Sequence, residues 1–153
     1  MSQIPVAGNL LHHAIEMYLK GALAEKLSLQ QLKTLSHDLR KIWATFKAQF
    51  PDPSLDTFDV LVDSLHAFEE LRYPDSIVTR GMAVRMGVTR DPTPAPVVLA
   101  RPVPTYELYL TEIDALVGKI LQVAAVNPAF FVSGLTASAR QYLKKGNAQP
   151  WAG

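Results

Sequence analysis

An all-α fold is predicted by three observations. Apolar residues recur at helical spacing in several stretches, prolines or capping residues bound them, and one central stretch alone lacks the period. The expected architecture is a four- to five-helix up-and-down bundle with an inserted β-hairpin-like arm over about residues 76–104. At 153 residues the chain fits one domain, taken as 1–146, followed by a loose tail over 147–153.

In the first element, Leu11, Ala14, Ile15, Tyr18, Leu19 and Ala22 fall on one side of a helix expected from Leu10 to Glu25. Asn9 is its expected N-cap and Pro5 marks the lead-in. Gly21 lies inside it, costing up to ~1 kcal/mol against alanine, and suits the close approach of a partner helix. A second stripe follows in Leu29, Leu32, Leu35, Leu39, Ile42, Trp43, Phe46 and Phe50. Ser28 and Ser36 are both N-cap candidates. The favoured reading is a short turn and then a helix from His37, capped by Ser36, with Asp38 in its positive first turn. FPDPSL breaks that helix. Leu55, Phe58, Leu61, Val62, Leu65 and Phe68 make a third, ending before Pro74. Short connections predict antiparallel packing of these three.

The middle has no helical stripe. Ile77–Val84 and Val97–Arg101 are expected to pair as a hairpin around the proline-rich DPTPAP tip, with an irregular loop as the alternative. Such an excursion suits binding or dimerisation. From Thr105, taken as a cap, Tyr109, Ile113, Leu116, Val117, Ile120 and Ala124 restore the helical period until Asn127-Pro128. A last short helix is expected over Thr136–Lys145, stopped by Gly146.

Composition narrows the function classes. Hydrophobic residues make up 48% and charged residues 19%, which is ordinary for a globular protein and argues against a disordered chain. With 15 basic and 14 acidic residues, any nucleic-acid or membrane-surface role needs a local basic patch. The absence of cysteine excludes disulfides and thiolate metal sites. MSQIPVAGNLLHH lacks a signal-peptide pattern, and no apolar run approaches the ~18 residues of a membrane span. A soluble cytoplasmic protein is expected.

Three stretches in order, AIEMYLKGAL, LSHDLRKIW and ELRYPD, resemble the HEPN superfamily of prokaryotic helical domains. That family has an A-x-E-x-x-LK-type first helix followed by an HDL element, and many members carry an RYP-like turn. The resemblance covers roughly residues 8 to 75. It implies an all-α bundle that commonly dimerises, with links to nucleotides, RNA or a nucleotidyltransferase-like protein partner. The family's ribonuclease members carry an arginine followed, after four to six residues, by a histidine in a late helix. Here the four histidines are His12, His13, His37 and His66, and Arg140 is followed by none. RNA cleavage of that type is therefore not expected, because the phosphate-stabilising and proton-transfer pair is missing.

The candidate constellations follow from spacing. His13, Glu16 and Lys20 share a face opposite the Leu11–Tyr18–Ala22 stripe, which reads first as a solvated face with a Glu16–Lys20 pair. A metal site built from His13, Glu16 and His66, with His37 contributing, is a weaker reading, since bundle metal sites need inward-facing ligands. Ser36-His37-Asp38 cannot form a catalytic relay from adjacent positions. His37 is expected to pack where its helix begins, bonding to the first helix or to the RYPD turn. Arg72, with Lys20, Arg40 or Lys41, is a candidate anion pocket. In the arm Arg80, Arg85, Arg90 and Arg101, with only Asp91 opposing them, suggest a positive patch suited to RNA backbone or a partner chain. The candidate ligand-binding residues are thus Lys20, His37, Arg40, Arg72, Arg80 and Arg101, with no catalytic residue, metal or cofactor assigned. The expected role is a non-catalytic, homodimeric binding or regulatory module for nucleotide, RNA or protein. A ribonuclease-like toxin with a displaced site around His37 and Arg72 is the alternative.

Overall fold

A computed structural model of the chain describes residues 4–72, 74–91, 102–127, 129, 133–138, 140 and 141. They are mostly helical, with one small parallel sheet. The helices are α1 (Ile4–Leu23), α2 (Leu29–Thr34), α3 (Leu39–Gln49), α4 (Asp59–Ala67), α5 (Pro74–Arg80) and α6 (Leu110–Val123). The strands are β1 (Ala83–Gly87) and β2 (Thr105–Tyr109). Segments of 3-10 helix at Pro53–Phe58 and Phe68–Arg72 flank α4.

Helix α1 is central, packing against α3, α4, α6 and the Phe68–Arg72 segment. It begins earlier than the stripe predicts, because proline is tolerated in a first turn where its missing N–H has no partner to lose. Asn9 is therefore inside the helix rather than its cap. The core joins Ile15, Leu19 and Leu23 of α1 to Leu39, Ile42 and Phe46 of α3, Leu65 of α4, and Leu116 and Ile120 of α6. At Gly8 the backbone of α1 approaches Phe68 so closely that a Cβ there would stand 2.0 Å from a ring carbon.

The second stripe divides in two. Ser28 caps α2 in a reciprocal capping box with Gln31. The cap of α3 is Asp38, which accepts from the Lys41 backbone N–H, and not Ser36. Ser36 instead takes a left-handed backbone, φ 54°, and turns the chain between the two helices. Farther on, Lys47 and the Trp43 indole N–H both donate to Asp59, at 2.8 and 2.7 Å, tying α3 to the start of α4.

The arm differs most from expectation. Residues 74–80 are helical, started by Pro74 with Asp75 in the first turn and ended by Gly81 at φ 70°. The strands are parallel, with Ala83 opposite Thr105 and Gly87 opposite Tyr109, so they form no hairpin. Parallel pairing requires a long crossover, and the proline-rich stretch occupies it. Thr105 thus opens a strand and caps nothing. In TYELY, Tyr106 and Leu108 are buried while Thr105 is exposed and Glu107 half-buried, a period of two that buried Tyr109 and the following helical stripe obscure. The predicted strand Val97–Arg101 lies outside the described residues. So do half of the expected last helix, of which 137–138 and 140–141 are helical, and the 147–153 tail. Among the described residues no helix is long and apolar enough to cross a membrane.

Candidate functional site

The chain's four histidines converge where α1 meets the start of α3 and the end of α4. Ring centroids lie 5.5 Å apart for His12–His13, 6.2 Å for His12–His66 and 6.1 Å for His13–His37. Glu16 is at their centre and only 3% exposed, so the face carrying His13, Glu16 and Lys20 is not simply solvated. Its carboxylate accepts from Lys20 Nζ at 2.8 Å and from His37 Nδ1 at 2.9 Å, with His13 Nδ1 3.3 Å away. Burial pushes the Glu16 carboxyl up. The hydrogen bonds and charges of Lys20 and His37 outweigh this and hold it below its ordinary value.

Two hydrogen bonds and one His12 contact lie between the Ser36 turn and α1. Lys20 donates to the Ser36 carbonyl, His37 donates to Glu16, and His12 Nε2 lies 3.3 Å from the His37 carbonyl. They hold in place a backbone conformation that costs a non-glycine residue roughly 1 kcal/mol. The expected bond from His37 to the first helix is present, with Glu16 as its partner.

His12, which the sequence reading passed over, is fully buried. Its Nδ1 lies 3.1 Å from the Leu65 carbonyl, linking α1 to α4. The signal was legible: His12, Ile15, Leu19 and Leu23 share one helical phase, so His12 belongs to the inward stripe. His66 approaches from α4, its Nδ1 buried and 3.9 Å from Asp38 Oδ1, with no hydrogen-bond partner among the described residues.

Among the described side chains, the candidate cations do not gather at one anion pocket. Lys20 and His37 are turned onto Glu16, while Arg40 pairs with Asp63 at 2.6 Å on the surface. Arg80 is exposed in the last turn of α5. Arg72 ends its 3-10 segment with a side chain outside the described set, and Arg101 lies outside the described residues. Nor are Arg85 and Arg90 of the arm bare positive charges. Arg85 pairs with Glu107 at 3.2 Å; Arg90 reaches Glu107 at 2.5 Å and Glu112 at 2.7 Å, and covers the Tyr109 ring at 4.4 Å. The sequence reading counted only acids inside the arm, whereas these carboxylates come from β2 and α6.

A second feature lies on the other side of α1. An apolar groove of about 460 Å³ between α1 and α6 is lined by Ala14, Met17, Tyr18, Gly21, Leu121 and Val126, among others. Beside it Val6, Leu10 and Met17 are 62, 65 and 68% exposed. Compared with family models, curated proteins and solved structures, the chain matches none.

Proposed function

We propose that this chain is a non-catalytic, HEPN-like helical-bundle module that works by binding, and that its first partner is a second copy of itself, docked along α1. The carrying observation is the exposed apolar stripe of that helix. Leu10, Ala14, Met17, Gly21 and Ala24 are all exposed and alternate at spacings of four and three. That is the spacing of a helix-pairing seam. No charge interrupts it.

The stripe is also complementary to itself. In an antiparallel pair with its two-fold axis between Ala14 and Met17, Leu10 faces Gly21 and Ala14 faces Met17. Each large side chain meets a small one, and open space lies where a Gly21 Cβ would stand. From Val6 to Ala24 the seam is ~27 Å long, and the neighbouring groove widens it. Contiguous exposed apolar surface of this kind marks an interaction site. Family membership draws support from the meeting of Glu16 and Lys20 with His37, which joins the two most distinctive matching stretches. Nucleotide or RNA binding has less support, because Lys20, His37, Arg40, Arg85 and Arg90 all face carboxylates.

Sedimentation velocity on the wild-type chain tests the assignment. A dimer at micromolar concentration, converted to a folded monomer by Met17→Glu, is the expected result. A wild-type monomer throughout, or a Met17→Glu dimer as tight as wild type, would overturn it.

One observation favours the ribonuclease-like alternative. His37 gives Nδ1 to buried Glu16, as a general base is held by an orienting carboxylate, and its side chain is 62% exposed. RNA cleavage lost in a folded His37→Ala variant is the expected outcome of that reading. No cleavage by the wild-type chain would rule it out.

A further inference from the structure

We infer that His12, His13 and Glu16 form a binding site for a divalent transition-metal ion, of the zinc, cobalt or nickel class. This rests on the interior side of α1, independently of any dimer. One ligand atom from each of the three residues lies within 4.8 Å of the other two. The spacing explains why: Glu16 is four residues from His12 and three from His13, which places all three over adjacent turns of one helix.

The hydrogen bonding of His12 points the same way. A neutral imidazole has one N–H and one lone pair. Its Nδ1 faces the Leu65 carbonyl at 3.1 Å, the shorter of its two carbonyl contacts; with the proton there, Nε2 carries the lone pair and is the ligand atom. Metal-ligating histidines are commonly oriented by such a bond to a backbone carbonyl. Nε2 in turn lies 3.3 Å from the His37 carbonyl oxygen, and in that tautomer an acceptor faces an acceptor. A cation beside Nε2 relieves that opposition.

Glu16 supplies the charge. Lys20 lies on Oε1, and His37 Nδ1 is nearer Oε1 (2.9 Å) than Oε2 (3.2 Å), so Oε2, beside His13, is the coordinating atom. Coordination at His13 Nδ1 shifts that ring's proton to Nε2. His13 is 40% exposed at the side chain and provides the route in from solvent. Two imidazoles and one carboxylate suit a borderline ion in a site with one open position, and disfavour magnesium or calcium, which take oxygen ligands. The ligand set differs from the spacing-based one in taking buried His12 in place of His66.

Cobalt(II) titration of the full chain, followed by visible absorption and competed with zinc, tests the site. One ion per chain, tight enough to saturate, displaced by zinc and not by magnesium, is expected. Folded His13→Ala should weaken cobalt binding by about tenfold or more, whereas His66→Ala should leave it within about twofold. Zinc should also shift the ring NMR signals of His12 and His13 before those of His66. No saturable absorption change, equal affinity in His13→Ala, or loss through His66→Ala would each overturn the assignment.

Discussion

Replacing Glu16 by glutamine removes the charge at the centre of the histidine cluster while keeping the side chain's shape. The carboxylate accepts from Lys20 at 2.8 Å and from His37 at 2.9 Å, with His13 adjacent. An amide oxygen in place of Oε1 still accepts from Lys20 and His37 but without the charge, and its NH₂ replaces the acceptor Oε2 beside His13. A hydrogen bond to a charged group contributes about 1.5–3 kcal/mol. Removing one partner of a fully buried pair costs about 3–5 kcal/mol. Here Lys20 is 21% and His37 62% exposed, so both regain water and the lower range applies. A loss of about 2 kcal/mol is expected at neutral pH, a Tm decrease of about 4–8 °C for a chain of this size. Urea and thermal unfolding measure it, with Lys20→Met and the double variant closing the cycle.

The pH dependence supplies an independent check. Because the folded-state pKa of Glu16 is lowered, the unfolded chain takes up its proton first as pH falls. The stabilisation is complete above the ordinary value of 4.5, declines below it and is gone beneath the folded-state pKa. Wild type and Glu16→Gln should therefore converge in acid and separate as pH rises. Equal stability at neutral pH, or a gap that widens in acid, would refute the role given to this carboxylate.

Other perturbations probe separate parts of the fold. Ser36→Val places a β-branched residue at φ 54° and should cost roughly 1–2 kcal/mol in urea unfolding, with Ser36→Gly far milder. Gly8→Ala drives a methyl group into buried Phe68 and should lower stability by about 1–3 kcal/mol, relieved by Phe68→Leu in a double-variant cycle. Arg90→Ala breaks the clasp on Glu107, Glu112 and Tyr109; being half exposed, it should cost about 1 kcal/mol or less. Its larger effect should be faster hydrogen exchange in the β1–β2 pair.

Much of the helical framework was readable because burial imposes a period on a helix whatever it packs against. The stripes through Ile15 and Leu19, Leu39 to Phe46, Leu61 to Leu65, and Ile113 to Ile120 are all in the core. Boundaries were less legible. Pro5 and Pro74 look like breaks but stand in first helical turns, and Ser36 has a capping residue's chemistry without a capping backbone. Of the candidate site, the His37 contact with helix 1 was anticipated, while Arg40, Arg85 and Arg90 were read without the carboxylates that neutralise them.

The opening stretch LLHHAIEMYLKGALA shows how the two levels divide. By itself the sequence determined that these residues form a helix with an inward stripe, and that Glu16 and Lys20 lie within reach of each other. Those are consequences of 3.6 residues per turn. Only tertiary structure decided that Glu16 is buried, that His12 reaches the Leu65 carbonyl 53 residues away, and that His37 closes over the carboxylate. It also decided that β1 and β2 run parallel, since strand direction depends on the path of the crossover and not on the strands' own residues. Local periodicity records which side of an element is buried; which partner buries it depends on chain segments far away in sequence.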